Sequence, residues 1–318
     1  MTPGSLTRQG AGRLREEENA SWCIISGRRT SGELATFRVA SAIKRLTKRG
    51  IMLLKGIAIH CFSNKDLNSS SIELVSGAKC IGSGDAEECF IPSEGWRSIE
   101  PLEVDILRST SLEMSDLYLL SLPEGKVRSI QEEILYAVTS PDYQEILKLP
   151  IEPFARSAVS WLNSLELPFR YSYLGADLAL APPGLASTAF DRVKCVYKGL
   201  HIDDHEKLPY ERRNQAFVLF SINLGSTTRF FQFVNLEIRA ILKMVAIDPL
   251  DKTVQSCPPR RLKDVFLRQY PEYPVIRATL HPGDAYLGQT QNMIHDGSTN
   301  SLGVTDISLQ IALRAKLP

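Results

Sequence analysis

His201 and Asp203 stand two residues apart at the end of an alternating apolar run, KCVYKGLHID. Alternate residues of an extended chain share a face, so an imidazole and a carboxylate are offered to one ion. A third donor has to come from elsewhere, and His295, which ends the run QNMIHDG, is the candidate. Two histidines and one carboxylate on one face of an octahedral ion leave three positions open, an arrangement suited to oxygen chemistry at non-haem iron(II). A closed structural zinc site takes four protein donors, and the sequence shows no fourth at a suitable place.

The remaining histidines have plainer readings. His60 sits inside an apolar strand pattern and is expected to be a satisfied core residue, and His281 belongs to the turn HPGD. His205 follows the pair in the loop DHEKLPYERRNQ, where it replaces a ligand only if the pair is read as Asp203-x-His205. That loop is expected to be a solvated connection. Loops at a barrel mouth often carry function, which makes Arg212 or Arg213 a candidate for an anionic substrate.

These donors need strands to hold them. From Phe169 onward the chain reads as short alternating segments punctuated by Pro, Gly and Asn: FRYSYLGADLAL, VKCVYKGLHID, AFVLFSINLG, TRFFQFVNLEI, VIRATLHPGDAYLG, TQNMIHDG and TDISLQIALRAK. One helical stretch, Glu237 to Met244, interrupts them. Such a succession predicts a double-sheet jelly roll over residues 169–318. Residues 35–168 are expected to form an α-rich supporting region, with helices over Ala35 to Lys48, Ser129 to Val138 and Pro153 to Leu165. Ser140-Pro141 reads as the start of another. Two strands, within IMLLKGIAIHCF and over Asp116 to Leu122, accompany these helices. The apolar stripe Phe154, Ala158, Trp161 and Leu165 is read as packing against a sheet. Residues 1–34 are polar and Gly-rich and are expected to be disordered. The fold class is therefore α+β, with one integrated catalytic domain.

The order of these features is a strand with H-x-D, a strand, a strand opening with a cation, a P-G-D turn and a strand ending in His-x-Gly. It resembles the double-stranded β-helix oxygenases that use iron(II) and 2-oxoglutarate, over roughly Val193 to Lys316. LFSINLGSTTRFFQFVN looks like the corresponding strand pair of the Jumonji-type branch, and HPGDAYLGQTQNMIHDG like the family's turn and final metal strand. The resemblance implies that His201, Asp203 and His295 bind Fe(II), with 2-oxoglutarate and O2 as co-substrates. It also makes Arg229 the anchor of the far carboxylate of 2-oxoglutarate, aided by Thr227 or Asn223, because a guanidinium meets a carboxylate through two parallel hydrogen bonds. Many members instead carry an Arg followed two residues on by Ser or Thr after the last histidine. Here that place holds Asp306 and Ser308, and Arg314 further along is the second choice of anchor. Asp284 is read as a turn residue, and Asp203 argues against the halogenating relatives, which replace that carboxylate.

The expected activity is hydroxylation or other oxidation of an unactivated C–H bond. A small-molecule substrate such as an amino acid or biosynthetic intermediate is preferred to a protein one, because no reader module or basic groove is visible. Arg170 and Tyr173 are candidates to line its pocket. A cupin-like metal protein or isomerase, a protein hydroxylase or demethylase, and a protein with a decayed site are the competing readings.

Composition sets the outer bounds. The 318 residues are 43% hydrophobic and 23% charged, as expected for a globular chain able to bury a core without staples. Lys plus Arg (37) nearly cancel Asp plus Glu (36), which gives no electrostatic case for nucleic acid or an anionic membrane. No apolar run approaches the ~20 residues of a membrane span. The cysteines, Cys23, Cys61, Cys80, Cys89, Cys195 and Cys257, form no C-x-x-C pair, so reduced thiols and a cytoplasmic location are expected. Basic residues dominate the first fifty positions, as in organellar transit peptides, but a disordered start has the same composition. Oligomeric state is left open.

Overall fold

The computed structural model describes residues 53–62, 71–83, 88–139, 149–191, 195–245, 258–300 and 303–316. The expected disordered segment 1–34, the helix from Ala35 to Lys48 and the Ser140-Pro141 helix start lie outside the described residues. No helix of the described residues is long and apolar enough to cross a membrane.

The alternating segments after Phe169 enter two sheets. One has the order β1 (Ile59–Cys61), β6 (Leu117–Ser121), β13 (Asp284–Gly288), β10 (Val218–Asn223), β15 (Asp306–Lys316), β7 (Arg170–Ala181). The other has the order β14 (Met293–Ser298), β11 (Arg229–Glu237), β12 (Val275–Leu280), β2 (Ile72–Val75), β5 (Arg97–Ser98). Two hairpins stand apart from them, β3 (Ala78–Ser83) with β4 (Glu88–Pro92) and β8 (Phe190–Asp191) with β9 (Val196–Tyr197). The two larger sheets face one another: Phe231 of β11 stacks on Tyr286 of β13 with ring centroids 3.9 Å apart.

Helices cover the outer faces. α1 (Pro101–Leu107), α2 (Glu124–Thr139), α3 (Ile151–Ser164), α4 (Ile238–Met244) and α5 (Pro259–Gln269) follow in chain order. Val127, Ile130, Ala155, Ala158, Val159 and Leu162 of α2 and α3 pack against Phe220, Ile222, Leu309 and Ile311 of the six-stranded sheet. On the far side Ile241, Leu242, Leu262 and Phe266 of α4 and α5 pack with Val234, Leu236, Val275 and Ile294 of the five-stranded sheet. Between the sheets Ile57, Ile59, Leu117, Leu119, Phe231, Phe233 and Ile276 form a third apolar cluster.

The α+β class holds, and the described part of the N-terminal region supplies strands as well as helices. Six strands, β1 to β6, come from it; β1 and β6 extend the six-stranded sheet and β2 and β5 the five-stranded one, β2 pairing with β12 and β6 with β13. The short strands β2 to β5 have too little alternation to be seen locally, and the partners that tie β2 and β6 into the sheets, β12 and β13, lie more than 150 residues away. In α3 the fully buried residues are Ala155, Ala158, Val159 and Leu162, with Phe154, Trp161 and Leu165 at the margin. Small residues at the contact let the helix lie close to the sheet.

Two breaks shape the site. The expected strand VKCVYKGLHID stops after Tyr197, and Gly199 takes φ +67°, where an added Cβ would meet the Phe90 carbonyl oxygen at 2.2 Å. Only glycine tolerates both the conformation and the approach. The segment VIRATLHPGDAYLG divides into β12 and β13 at a turn through Gly283, φ +84°.

Candidate metal centre

His201 and His295 face each other across an isolated antiparallel bridge. The His201 N–H donates to the His295 carbonyl at 2.9 Å, and the His295 N–H donates back at 2.8 Å. Directly opposed residues project to one side, and the two imidazole centroids lie 4.5 Å apart. Asp203, one alternation beyond His201, closes the group. Its Oδ1 is 3.5 Å from His201 Nε2, and its Oδ2 is 3.5 Å from His295 Nε2. One donor atom from each of the three residues lies within 4.8 Å of the others, close enough for all to reach one ion.

The outer nitrogens of both rings are already engaged. His201 Nδ1 lies 2.9 Å from the Gly199 carbonyl, and His295 Nδ1 lies 3.5 Å from that of Met293. An Nδ1–H donated to a carbonyl leaves the Nε2 lone pair for an ion, the tautomer that metal-binding histidines use. Protonation is consistent with this for His295 and Asp203, while Asp203 favours the charged ring of His201. Burial pushes the His295 imidazole down to about 4, reinforced by neighbouring His201. Burial alone would raise the Asp203 carboxyl, but His295, His201 and His205 hold it well below the usual carboxylate range. For His201, burial works downward, and the hydrogen bond and charge of Asp203 outweigh it and raise the ring. The carboxylate is therefore ionised and His295 neutral, as ligands must be.

A buried arginine fixes this loop. Arg213, 3% exposed, donates from Nη1 to the Asp203 carbonyl at 2.8 Å and the Gln291 carbonyl at 3.0 Å, and pairs through Nη2 with the Asp204 carboxylate. The Asp203 N–H adds a long contact of 3.4 Å to the Thr290 carbonyl. The guanidinium thus ties the segment bearing two donors to the turn that leads into the third. Asp296, beside His295 but on the opposite face of β14, accepts the N–H groups of Gly297 and Ala189. Burial pushes its carboxyl up to about 7.

Further along the inter-sheet space lies a polar slot. Arg229 opens β11, and Arg229, Phe231 and Phe233 share the face of that strand opposite His295 and Gly297 of β14. Arg229 is 5% exposed, and its Nε and Nη1 have no hydrogen-bond partner among the described residues. Across the space Ser221 pairs in register with Tyr286, and Asn223 with Ser308. Because Tyr286 faces Phe231, these strand positions all point inward. Ser308, 1% exposed, has a hydroxyl without a partner among the described residues, whereas the equally buried Ser221 hydroxyl lies beside that of Tyr286. Asp306, two residues before Ser308, places Oδ2 3.6 Å from Arg229 Nε. Gly297 makes room here: an added Cβ would lie 2.3 Å from Thr188 Oγ1 and 3.4 Å from Arg229 Nη2. Buried polar atoms without partners are rare in folded proteins and mark a place where a ligand or water completes the bonding.

The other candidates go elsewhere. Asn223 spends its side chain on the loop, donating to the carbonyls of Thr227 and Leu280 and accepting the Gly225 N–H; Thr227 is engaged there through its carbonyl. Arg314 pairs with Glu206 at 2.5 Å and donates to the Gln215 carbonyl at 2.9 Å, so it braces the loop instead of reaching the slot. Arg170 is exposed and turns back on the carbonyls of Leu167 and Phe169. The Tyr173 hydroxyl meets Glu152 on α3, on the helix-covered side of the sheet. Arg212 bonds Gln215 on the exposed side of its 3₁₀ turn. His60 pairs with buried Asp116 at 2.8 Å, and Asp284 accepts the His281 N–H and the Ser121 hydroxyl, both as read from the sequence. His205 Nε2 approaches Asp203 Oδ1 at 3.5 Å from an exposed position.

Sequence reasoning missed Arg213 as a brace, Tyr286 and Ser221 as slot walls and Gly297 as a space-maker. The one local signal was polar residues in otherwise apolar strand faces, as at Ser221 in VLFSIN. No protein-family model matches this chain, and no curated protein matches it.

Proposed function

We propose that this chain is an iron(II)- and 2-oxoglutarate-dependent oxygenase. The observation that carries the reading is the pairing of a two-histidine, one-carboxylate donor set with a buried, hydrogen-bond-deficient arginine on the same inward face. The winding supports a double-stranded β-helix core. From β7 onward the chain passes from the six-stranded sheet to the His201 bridge, back to β10, then to β11 and β12, to β13, to β14 and to β15.

The donor set fits a first-row divalent ion with open positions, since nitrogen and oxygen donors converge from one side only. His201 Nε2, His295 Nε2 and an Asp203 oxygen would hold it. The bound iron would supply oxidation of a C–H bond by O2, coupled to decarboxylation of 2-oxoglutarate. Everything else is the work of this chain. The carbonyls of Gly199 and Met293 orient the two rings, and Arg213 fixes the backbone of Asp203. Arg229 would receive the far carboxylate of 2-oxoglutarate, with Ser221 and Ser308 offering hydroxyls to it. The apolar cluster of Phe231, Phe233 and Met293 keeps bulk water from the inner side. Asp203 fills the ligand position that a halogenating site would leave open. A small molecule is the preferred substrate class, entering where His201 and Asp203 remain about 15% exposed.

The test is anaerobic addition of Fe(II) and 2-oxoglutarate, read by the weak visible charge-transfer absorption of a chelated keto acid. A band in the parent that is weakened by Arg229→Ala and unaffected by Arg314→Ala is the expected result. Tight iron binding with no band would instead identify a cupin-like metal protein.

A further inference from the structure

The arginine that the oxygenase reading makes an anchor does not stand alone. Asp306, 3% exposed, faces it across the sheets at 3.6 Å. That separation leaves Nε without a hydrogen bond, so the two groups neutralise one another without saturating the guanidinium. The slot therefore has no net charge to offer a dicarboxylate. A second carboxylate brought to Arg229 would meet Asp306 in a buried setting, where like charges repel far more strongly than in water.

We infer that Asp306 takes up one proton from solvent as the far carboxylate of 2-oxoglutarate docks on Arg229, making it the residue that sets co-substrate affinity. The inference rests on the oxygenase reading above. The balance is simple. The dianionic co-substrate enters, one solvent proton is added to an Asp306 oxygen, and the slot then holds one cation, one neutral acid and one docked carboxylate. Burial already favours the neutral form of this acid against the pull of Arg229. Among the described residues, Arg229 is the one charged group that acts on it; its strand neighbours, Ala181 on β7 and the Asn223–Ser308 pair beside it, carry no charge. Neutral Ser308 and Ser221 remain as donors whichever form Asp306 takes.

The experiment is calorimetric titration of 2-oxoglutarate into the anaerobic Fe(II)-loaded protein, in two buffers of different ionisation enthalpy, at several pH values, with Asp306→Asn alongside. The wild type is expected to take up about one proton per co-substrate and to bind more weakly as pH rises. Asp306→Asn should abolish the uptake and tighten binding at neutral pH by roughly tenfold, the effect of removing one like charge from a desolvated site. The buffer comparison on wild type needs no variant, so a poorly folding Asp306→Asn would not block the test. Binding without proton uptake, and no tighter in Asp306→Asn, would overturn the inference and make the pair a structural one, leaving the oxygenase reading intact. Absence of 2-oxoglutarate binding in both proteins despite iron binding would overturn both, and the missing visible band would show it.

Discussion

His201 and His295, 94 positions apart in the sequence, exchange both main-chain hydrogen bonds at 2.9 and 2.8 Å, while their rings sit 4.5 Å apart. The main chain, not the side chains, sets the spacing of these two donors. The geometry is therefore in place before any ion arrives, and substituting either ring leaves the scaffold that positions the other.

That separation of scaffold from donor leads to the first expectation. His201→Ala, His295→Ala and Asp203→Ala should each weaken Fe(II) or Co(II) binding by roughly 100-fold or more, exceeding the loss typical of supporting residues. Thermal melting of the metal-free protein should move little, because no backbone bond is lost. A variant that binds metal as the parent does would remove its residue from the ligand set.

Arg213 should behave differently. Arg213→Ala leaves the carbonyls of Asp203 and Gln291 without their donor, at about 1–3 kcal/mol for each buried group left unsatisfied. Metal affinity should fall by about 10- to 100-fold with all three ligands present. The Co(II) ligand-field spectrum checks the cause: an altered spectrum reports displaced Asp203, whereas an unaltered one with a lower melting temperature would restrict Arg213 to stability.

Gly297 is expected to resist any side chain. Gly297→Ala would put a methyl 2.3 Å from Thr188 Oγ1, an overpacking cost of about 1–3 kcal/mol. Adding Thr188→Ala should recover most of it, since the remaining neighbours lie at 3.4 Å or beyond. A double-mutant cycle in denaturant measures the coupling, and strict additivity of the two changes would refute the clash.

The loop brace predicts a pH effect. Burial works to raise the Glu206 carboxyl, but the hydrogen bonds from Arg314, the Phe217 N–H and Gln291 outweigh it and hold the group below its usual value of 4.5. A depressed folded-state pKa gives stability that is fully present above the unfolded value and lost as pH falls through the folded one. The melting-temperature gap between wild type and Glu206→Gln should accordingly be constant near neutrality and close below about pH 4.5. A gap that persists unchanged at lower pH would show that the carboxylate charge is not what braces the loop.

How much of this was legible in the chain depends on the range of each signal. Strand alternation has a period of two and is written locally, so β7, β10, β11 and β15 could be read nearly to their ends. The H-x-D pair and the histidine of QNMIHDG were legible for the same reason, since residue type and face are both local. Pairing is not local. That β2 and β6 extend the two sheets, that His201 lies opposite His295, and that Asp306 comes to Arg229 depend on register between segments tens to hundreds of residues apart. Arg229, Arg314, Arg170 and Arg212 look alike in sequence, as charged residues on or beside strands. Only the tertiary structure separates the one buried without hydrogen-bond partners for Nε and Nη1 among the described residues from three that bond loops, carbonyls or neighbouring side chains, because burial and partners are properties of packing and not of the residue.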